Sequence, residues 1–466
     1  MLFSSLTFLF YFLPITVLAY YGFRRKRRNI VLLLASIFFY AWGELRYLPI
    51  IFVTITITYV GALVIERFKY KKSLLASFIL LDLALLFYFK YTNFFLENLN
   101  QIFHHQWSLK VILPLGISFY TFQSLSYLID VYRGQVKAQT NYLKIALYIC
   151  LFPQLIAGPI VKYHDVVDQI DHREETVDKV YYGIRRFIIG LAKKVLIANT
   201  LGSIADTVFE LLVENDGIQV GIAWLGTISR TLQVYYDFSG YSDMAIGLGA
   251  IFGFKFLENF NYPYISRSMS EYWKRWHISL GAWCKDYIYI PMGGSRVAPW
   301  RIYFNLFVLF VAIGLWHGAT WNFIVFGALN ALFIMGERLT GYNKKEFNGS
   351  WGGFQYLYTV PIFILNAILA NTDTLKHSVI CIKSLFGTVI PKNINYGFPF
   401  YIDRIDVIVL VISVLCCIPI FKNMLTWGNK YWICGVLIDI WLFFLLFASC
   451  LQLAASSYNP FIYFRF

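Results

Sequence analysis

Two histidines stand where an imidazole could do chemistry. His317 lies in Gly314-Leu315-Trp316-His317-Gly318-Ala319-Thr320-Trp321-Asn322, within an apolar stretch from Phe304 to Phe333. His277 lies in Tyr272-Trp273-Lys274-Arg275-Trp276-His277-Ile278-Ser279-Leu280. A neutral imidazole near pH 7 accepts a hydroxyl proton and so activates the oxygen to attack a thioester carbonyl, help that contributes about 10²–10⁴-fold. Gly314 and Gly318, at helical spacing around His317, leave room for a substrate or for another backbone. The other reading of His317 is a structural ring bridging two helices, and spacing alone does not separate the two. Trp316, Trp276, Asn322, Arg275 and Lys274 are the neighbours that could hold substrate.

A third polar neighbourhood, Gln233 to Asp243, adds Tyr236 and Asp237 as candidate substrate contacts. A buried carboxylate needs a partner. Asp237 and Asp243 could orient a histidine or a substrate, or satisfy cations of the 272–296 segment, and the structural role is the stronger expectation. That segment carries three Trp, four cations and a His, so it cannot span lipid; it sits at the interface or folds inward around a polar cavity. Gly293-Gly294 permits a tight turn with backbone N–H groups open to an anionic thioester donor, the bland alternative being an interfacial anchor. No Ser-x-x-Lys or G-x-S-x-G motif occurs near these sites. Cys284 reads as a buried structural thiol rather than an acyl carrier. The seven cysteines show no C-x-x-C spacing, so neither a zinc site nor a disulfide framework is expected. His104, His105, His164, His172 and His377 read as solvated loop residues.

The elements that position these groups must be membrane helices. Only 14% of the 466 residues are charged and 58% are hydrophobic, against roughly 25% charged in soluble domains. The net charge of +14 sits in short clusters between apolar stretches, the mark of cytoplasmic loops, which argues against nucleic-acid binding. Apolar runs of the required length predict about 11 crossings with additional re-entrant or interfacial helices, an all-α integral membrane protein in one domain over residues 1–466. Residues 3–21 read as a retained first span rather than a cleaved signal peptide. The clusters Arg24–Arg28 and Arg67 to Lys72 fall two spans apart, which places both inside and the N-terminus outside. Residues 162–194 read as a polar loop leading into an amphipathic segment on the cytoplasmic surface. Residues 342–353 read as a flexible loop. Pro114, Gly116, Pro153, Gly158 and Pro159 predict broken helices lining a cavity. No repeat of the kind many carriers show is apparent.

The blocks LPLGISFYTFQSLSYLIDVYRG (113–134), LFPQLIAGPIVKY (151–163), YYDFSGYSDMAIGLGAIFGFKFLENFNYPY (235–264), YWKRWHISLGAWCKDYIYIPMGGSR (272–296), GLWHGATWNF (314–323) and NPFIYFRF (459–466) occur in this order. In them the chain resembles the membrane-bound O-acyltransferase family, in its alginate-O-acetylating branch. The resemblance implies a ring-like bundle with a thin centre and a tunnel open from both faces. It implies that His317 matches the family's essential histidine and His277 its second characteristic polar position. It also implies acetyl-CoA, or another acyl thioester, as a donor substrate on the cytoplasmic side, with no bound cofactor. A separate extracytoplasmic acetyltransferase would then modify an exported polysaccharide. Acyl transfer to a cell-wall polymer, as in peptidoglycan O-acetylation or teichoic acid D-alanylation, is the runner-up. A non-catalytic polysaccharide or lipid exporter is the alternative outside the enzyme class.

Overall fold

A computed structural model describes residues 1–107, 109–345, 349–392, 397–428 and 431–461. Three residues of the loop expected at 342–353 (346–348) and the last five of the ending block (462–466) lie outside the described residues. Among the described residues every regular element is a helix. That follows from composition: in hydrocarbon each backbone N–H and C=O must be satisfied within its own segment, and a helix does this.

Among the described residues, seven helical stretches are long and apolar enough to cross a membrane: Arg25–Arg67, Lys71–Phe103, Val177–Glu214, Pro299–His317, Trp321–Thr340, Gly352–Asn371 and Trp432–Ala455. The first holds two helices, Arg28–Glu44 and Leu48–Arg67, with the turn Leu45–Tyr47 between them. Other apolar runs are cut shorter. The chain breaks before Ile117–Tyr132, where Gly116 adopts φ 77°, and again around the single turn Phe152–Leu155. The opposite happens in the polar strip. Residues 233–243 lie within one continuous 32-residue helix, Val220–Ile251. The expected amphipathic region forms the helices Tyr163–His172 and Val177–Ala192.

Two compact units divide the chain. The first comprises residues 1–187 and 242–257. Phe3, Phe8, Phe39 and Phe152, all fully buried, pack ring against ring at its centre. Its basic residues are tied down by Glu175, which accepts from Tyr20 Oη at 2.5 Å and pairs with Arg28 at 3.0 Å. Arg186 holds Asp243 at 2.6 Å.

The second unit comprises residues 188–241 and 258–466 and carries both histidines of interest. Val208, Leu212, Ile222, Ile368 and Leu385 form an apolar core in it. Lys194 and Asp237, each with its side chain 1% exposed, pair at 2.8 Å. Arg230 pairs with Asp206, whose other oxygen accepts from Tyr458 Oη at 2.6 Å. The same network holds the late segment of the chain. Asn199 donates to Asn459 Oδ1 at 3.2 Å, Lys194 donates to the Pro460 carbonyl, and Phe461 stacks on Tyr241 with centroids 4.5 Å apart.

Candidate active site

Pro299–His317 and Trp321–Thr340 form a helical hairpin, and His317 is the last residue of its first arm. The apolar stretch around His317 is therefore broken at 318–320, where Gly318 is extended. Gly314 and Gly327 explain how closely the arms approach. A Cβ on Gly314 would fall on the Phe323 carbonyl oxygen, and one on Gly327 on that of Phe310. Small residues of this kind let membrane helices meet backbone to backbone. Of the two uses the spacing left open for Gly314, the structure shows the approach of another backbone.

The 269–294 segment folds inward as short helices, Met269–Arg275, Ile278–Cys284 and Lys285–Tyr289. Trp276, His277, Ser279, Leu280, Trp283 and Cys284 are buried. His277 joins the first two helices in a left-handed conformation, φ 45° and ψ 55°. Such a conformation costs about 1–3 kcal/mol in a non-glycine residue and needs surrounding structure to hold it. Asn259 supplies that structure. Its carbonyl accepts from Ile278 N at 2.9 Å, and its Oδ1 lies 3.2 Å from Ser279 N, 2.8 Å from Ser279 Oγ and 3.1 Å from His277 Nδ1.

The two imidazoles come together. Their centroids are 6.4 Å apart, with His277 1% and His317 8% exposed. Trp316 stands beside both, 5.0 Å from His317 and 5.9 Å from His277. Phe238 meets His277 edge-on at 4.7 Å, and Phe323 and Phe326 pack on His317 at 6.2 and 6.1 Å. His277 lies outside the spanning helices; its burial, aided by neighbouring His317, holds its pKa well below the ordinary histidine value, so the ring is neutral at pH 7. Among the described residues, His277 Nε2 and Asn259 Nδ2 are buried with no hydrogen-bond partner. Each such atom costs about 1–3 kcal/mol, and native proteins keep few of them.

The remaining sequence candidates divide by their contacts. Trp276 is buried beside His277, stacked on Tyr272 at 5.6 Å and edge-on to Phe260 at 5.1 Å. Asn322 donates to the Thr372 carbonyl at 2.6 Å and to Ser378 Oγ at 3.3 Å, fastening its helix to Tyr356–Asn371 and Leu375–Leu385. Tyr236 donates to the Ser413 carbonyl at 2.5 Å. Asp237 pairs with Lys194 at 2.8 Å. Arg275 is held by Glu271 at 2.8 Å and the Asn261 carbonyl at 3.0 Å, and Lys274 is exposed. The Gly293-Gly294 turn forms, with φ 100° and 55°, but both its N–H groups are occupied, by Ile290 O and Tyr289 O at 2.9 Å each. A thioester cradle there would need those N–H groups open. Burial pushes the Cys284 thiol, also outside the spanning helices, up to about 12, so it carries no thiolate at neutral pH.

Sequence reasoning passed over Asn259, Phe238, Phe323 and Phe326. The one available signal for Asn259 was an amide between aromatic residues in Glu258-Asn259-Phe260-Asn261-Tyr262.

The sequence model of the MBOAT, membrane-bound O-acyltransferase family, matches residues 135–372, a span holding both histidines and Asn259. The chain belongs to the membrane-bound O-acyltransferase family. It is a multi-pass membrane enzyme that transfers acyl groups. This O-acyltransferase is 46% identical over 354 residues to the "probable alginate O-acetylase AlgI" of Pseudomonas aeruginosa, covering 74% of the chain and 67% of that protein. Similarity to the Pseudomonas putida protein of the same name covers the whole of both chains at 38% identity. The "peptidoglycan O-acetyltransferase" of Helicobacter pylori is 33% identical over 461 residues, 91% of this O-acyltransferase and 87% of that protein. Family membership removes the non-catalytic exporter from consideration.

Proposed function

We propose that this O-acyltransferase relays an acetyl group from acetyl-CoA on the cytoplasmic side across the membrane, for O-acetylation of an extracellular polysaccharide. The supporting observation is the pair of buried imidazoles 6.4 Å apart, one of them with an unpartnered ring nitrogen. In this reading His317 takes the proton of the acceptor hydroxyl while His277 receives a hydrogen bond that orients it. The oxygen attacks the thioester carbon, a C–O bond forms, the C–S bond breaks, and the proton passes to the departing thiolate. Trp316 and Trp276 would wall the centre against water, and a dry site strengthens each interaction made there.

The relatives' names support alginate or a similar exopolysaccharide as the final acceptor. In this reading an extracytoplasmic acetyltransferase receives the acetyl group and passes it on. The Helicobacter pylori relative favours peptidoglycan as a second possible acceptor. The whole chain, residues 1–466, acts in this reading as one unit in the plasma membrane with its N-terminus outside. Purified enzyme in lipid discs, supplied with acetyl-CoA labelled in the acetyl group, tests the donor. Label should leave CoA with wild-type protein and stay on it with His317→Ala at equal abundance. Normal turnover by His317→Ala would remove His317 from the reaction, and transfer only from a carrier-protein thioester would replace the donor.

A further inference from the structure

We propose that Asn259 is a positioning residue for acyl transfer, fixing His277 as the tautomer that carries its proton on Nδ1 and presents a lone pair on Nε2. The inference rests on the reading of His277 as part of the transfer centre and names what makes that ring an acceptor. A backbone N–H can only donate, so the Asn259 side-chain atom 3.2 Å from Ser279 N is an oxygen and not the amide nitrogen. Ser279 Oγ, 2.8 Å from the same atom, donates to it as well. An oxygen in that orientation accepts, so the ring nitrogen 3.1 Å away, His277 Nδ1, must be the one that bears hydrogen. In a neutral imidazole the other nitrogen is then unprotonated.

That other nitrogen, Nε2, is buried and has no partner among the described residues. A lone pair left open among the rings of Phe238, Trp316 and His317 is what a hydroxyl or thiol proton of a bound substrate would complete. The cost of keeping it is visible twice over. Asn259 Nδ2 is also left without an acceptor among the described residues, and His277 itself is held at φ 45°. Asn259 fastens the two residues that follow this strained one, through its backbone carbonyl to Ile278 N and through Oδ1 to Ser279. The neighbouring strand of chain is fastened in the same way, Asn261 N to the Arg275 carbonyl at 2.9 Å. The tautomer of the ring therefore depends on one side chain, which also holds Ser279 N two residues later. The titratable group beside His277 is His317; Arg275, two residues earlier, is held by Glu271.

The test is acetyl transfer by full-length protein in lipid discs, with abundance and thermal unfolding measured alongside. Asn259→Ala should lower turnover by about 10–100-fold, the usual loss when the partner that orients a functional histidine is removed. Asn259→Asp keeps an acceptor for all three donors and should recover to within roughly tenfold of wild type. Its charge stabilises imidazolium, so the acid limb of its pH–rate profile should move to higher pH, which a purely structural role for the side chain would not cause. The double variant Asn259→Ala/His277→Ala should be no slower than His277→Ala, since the two residues act as a unit. Full activity of Asn259→Ala alongside slow His277→Ala overturns this proposal and leaves the reading of His277 standing. Slow Asn259→Ala alongside normal His277→Ala overturns both. Should the Ala variant fail to insert, Asn259→Asp decides: no recovery, or an unmoved acid limb, defeats the assignment.

Discussion

Two of the buried polar clusters in the second unit are finished differently. Around Lys194 the charges are matched: Asp237 at 2.8 Å, Asn199 at 2.7 Å, and the Pro460 carbonyl. Around His277 the side chains are equally buried, but Nε2 of the ring and Nδ2 of Asn259 end without partners among the described residues. Both clusters are expensive in an apolar protein, for opposite reasons. The ionic cluster offsets desolvation by pairing opposite charges. The histidine cluster withholds its last hydrogen bonds and is therefore able to make them with a substrate. Polar burial by itself marks neither structure nor function; what sets the histidine cluster apart from the ion pair is an open ring nitrogen.

The largest effect that would sharpen this contrast is expected at the imidazoles. His317→Ala should reduce acetyl transfer by about 10²–10⁴-fold or more while the protein inserts at normal abundance. His277→Ala should be severely impaired, with a smaller loss, by the same assay. If either variant is instead poorly inserted while its folded fraction turns over normally, that histidine belongs with the structural cluster. Next comes Lys194→Ala, which leaves Asp237 buried without its cation and should cost about 3–5 kcal/mol of stability. The readout is loss of inserted protein and a lower unfolding temperature in detergent. Lys194→Met combined with Asp237→Leu, apolar at both positions, should restore much of that loss. A normally stable Lys194→Ala protein that no longer transfers acetyl groups would reverse the contrast.

Legibility in the sequence follows from how local each cause is. His317 and His277 could be found because a titratable ring in an apolar or aromatic run is rare, and rarity is visible without a structure. Their meeting is not visible, because it depends on a hairpin and three short helices packing across long sequence separations. Asp237 was legible as a carboxylate needing a cation; that the cation is Lys194 depends on which helix faces Val220–Ile251. The continuity of that helix is hard to read for a related reason. A polar strip inside an apolar run resembles a break until its side chains are seen to be paired. Glycine pairs mislead in the other direction: the turn at Gly293-Gly294 was correctly expected, yet whether its N–H groups stay open depends on carbonyls at 289 and 290. The helical character and apolar faces needed no such information, since composition alone enforces them.

The smallest expected effect is at Tyr236, and it tests the contrast at its boundary. By sequence this tyrosine is a candidate substrate contact, and it neighbours Asp237 on the same helix. Its hydroxyl, fully buried, instead donates to the Ser413 carbonyl at 2.5 Å and lies 3.6 Å from Cys417 Sγ. Tyr236→Phe removes one neutral hydrogen bond and leaves that carbonyl short of a donor, a loss of about 0.5–1.5 kcal/mol that should appear as a modest drop in unfolding temperature. Acetyl transfer should stay close to wild type, because the deleted oxygen already has its partner within the protein. A fall of tenfold or more at unchanged stability would mean that the bond to Ser413 is exchanged for one to substrate during turnover. Satisfaction in the resting structure would then no longer distinguish the two kinds of cluster.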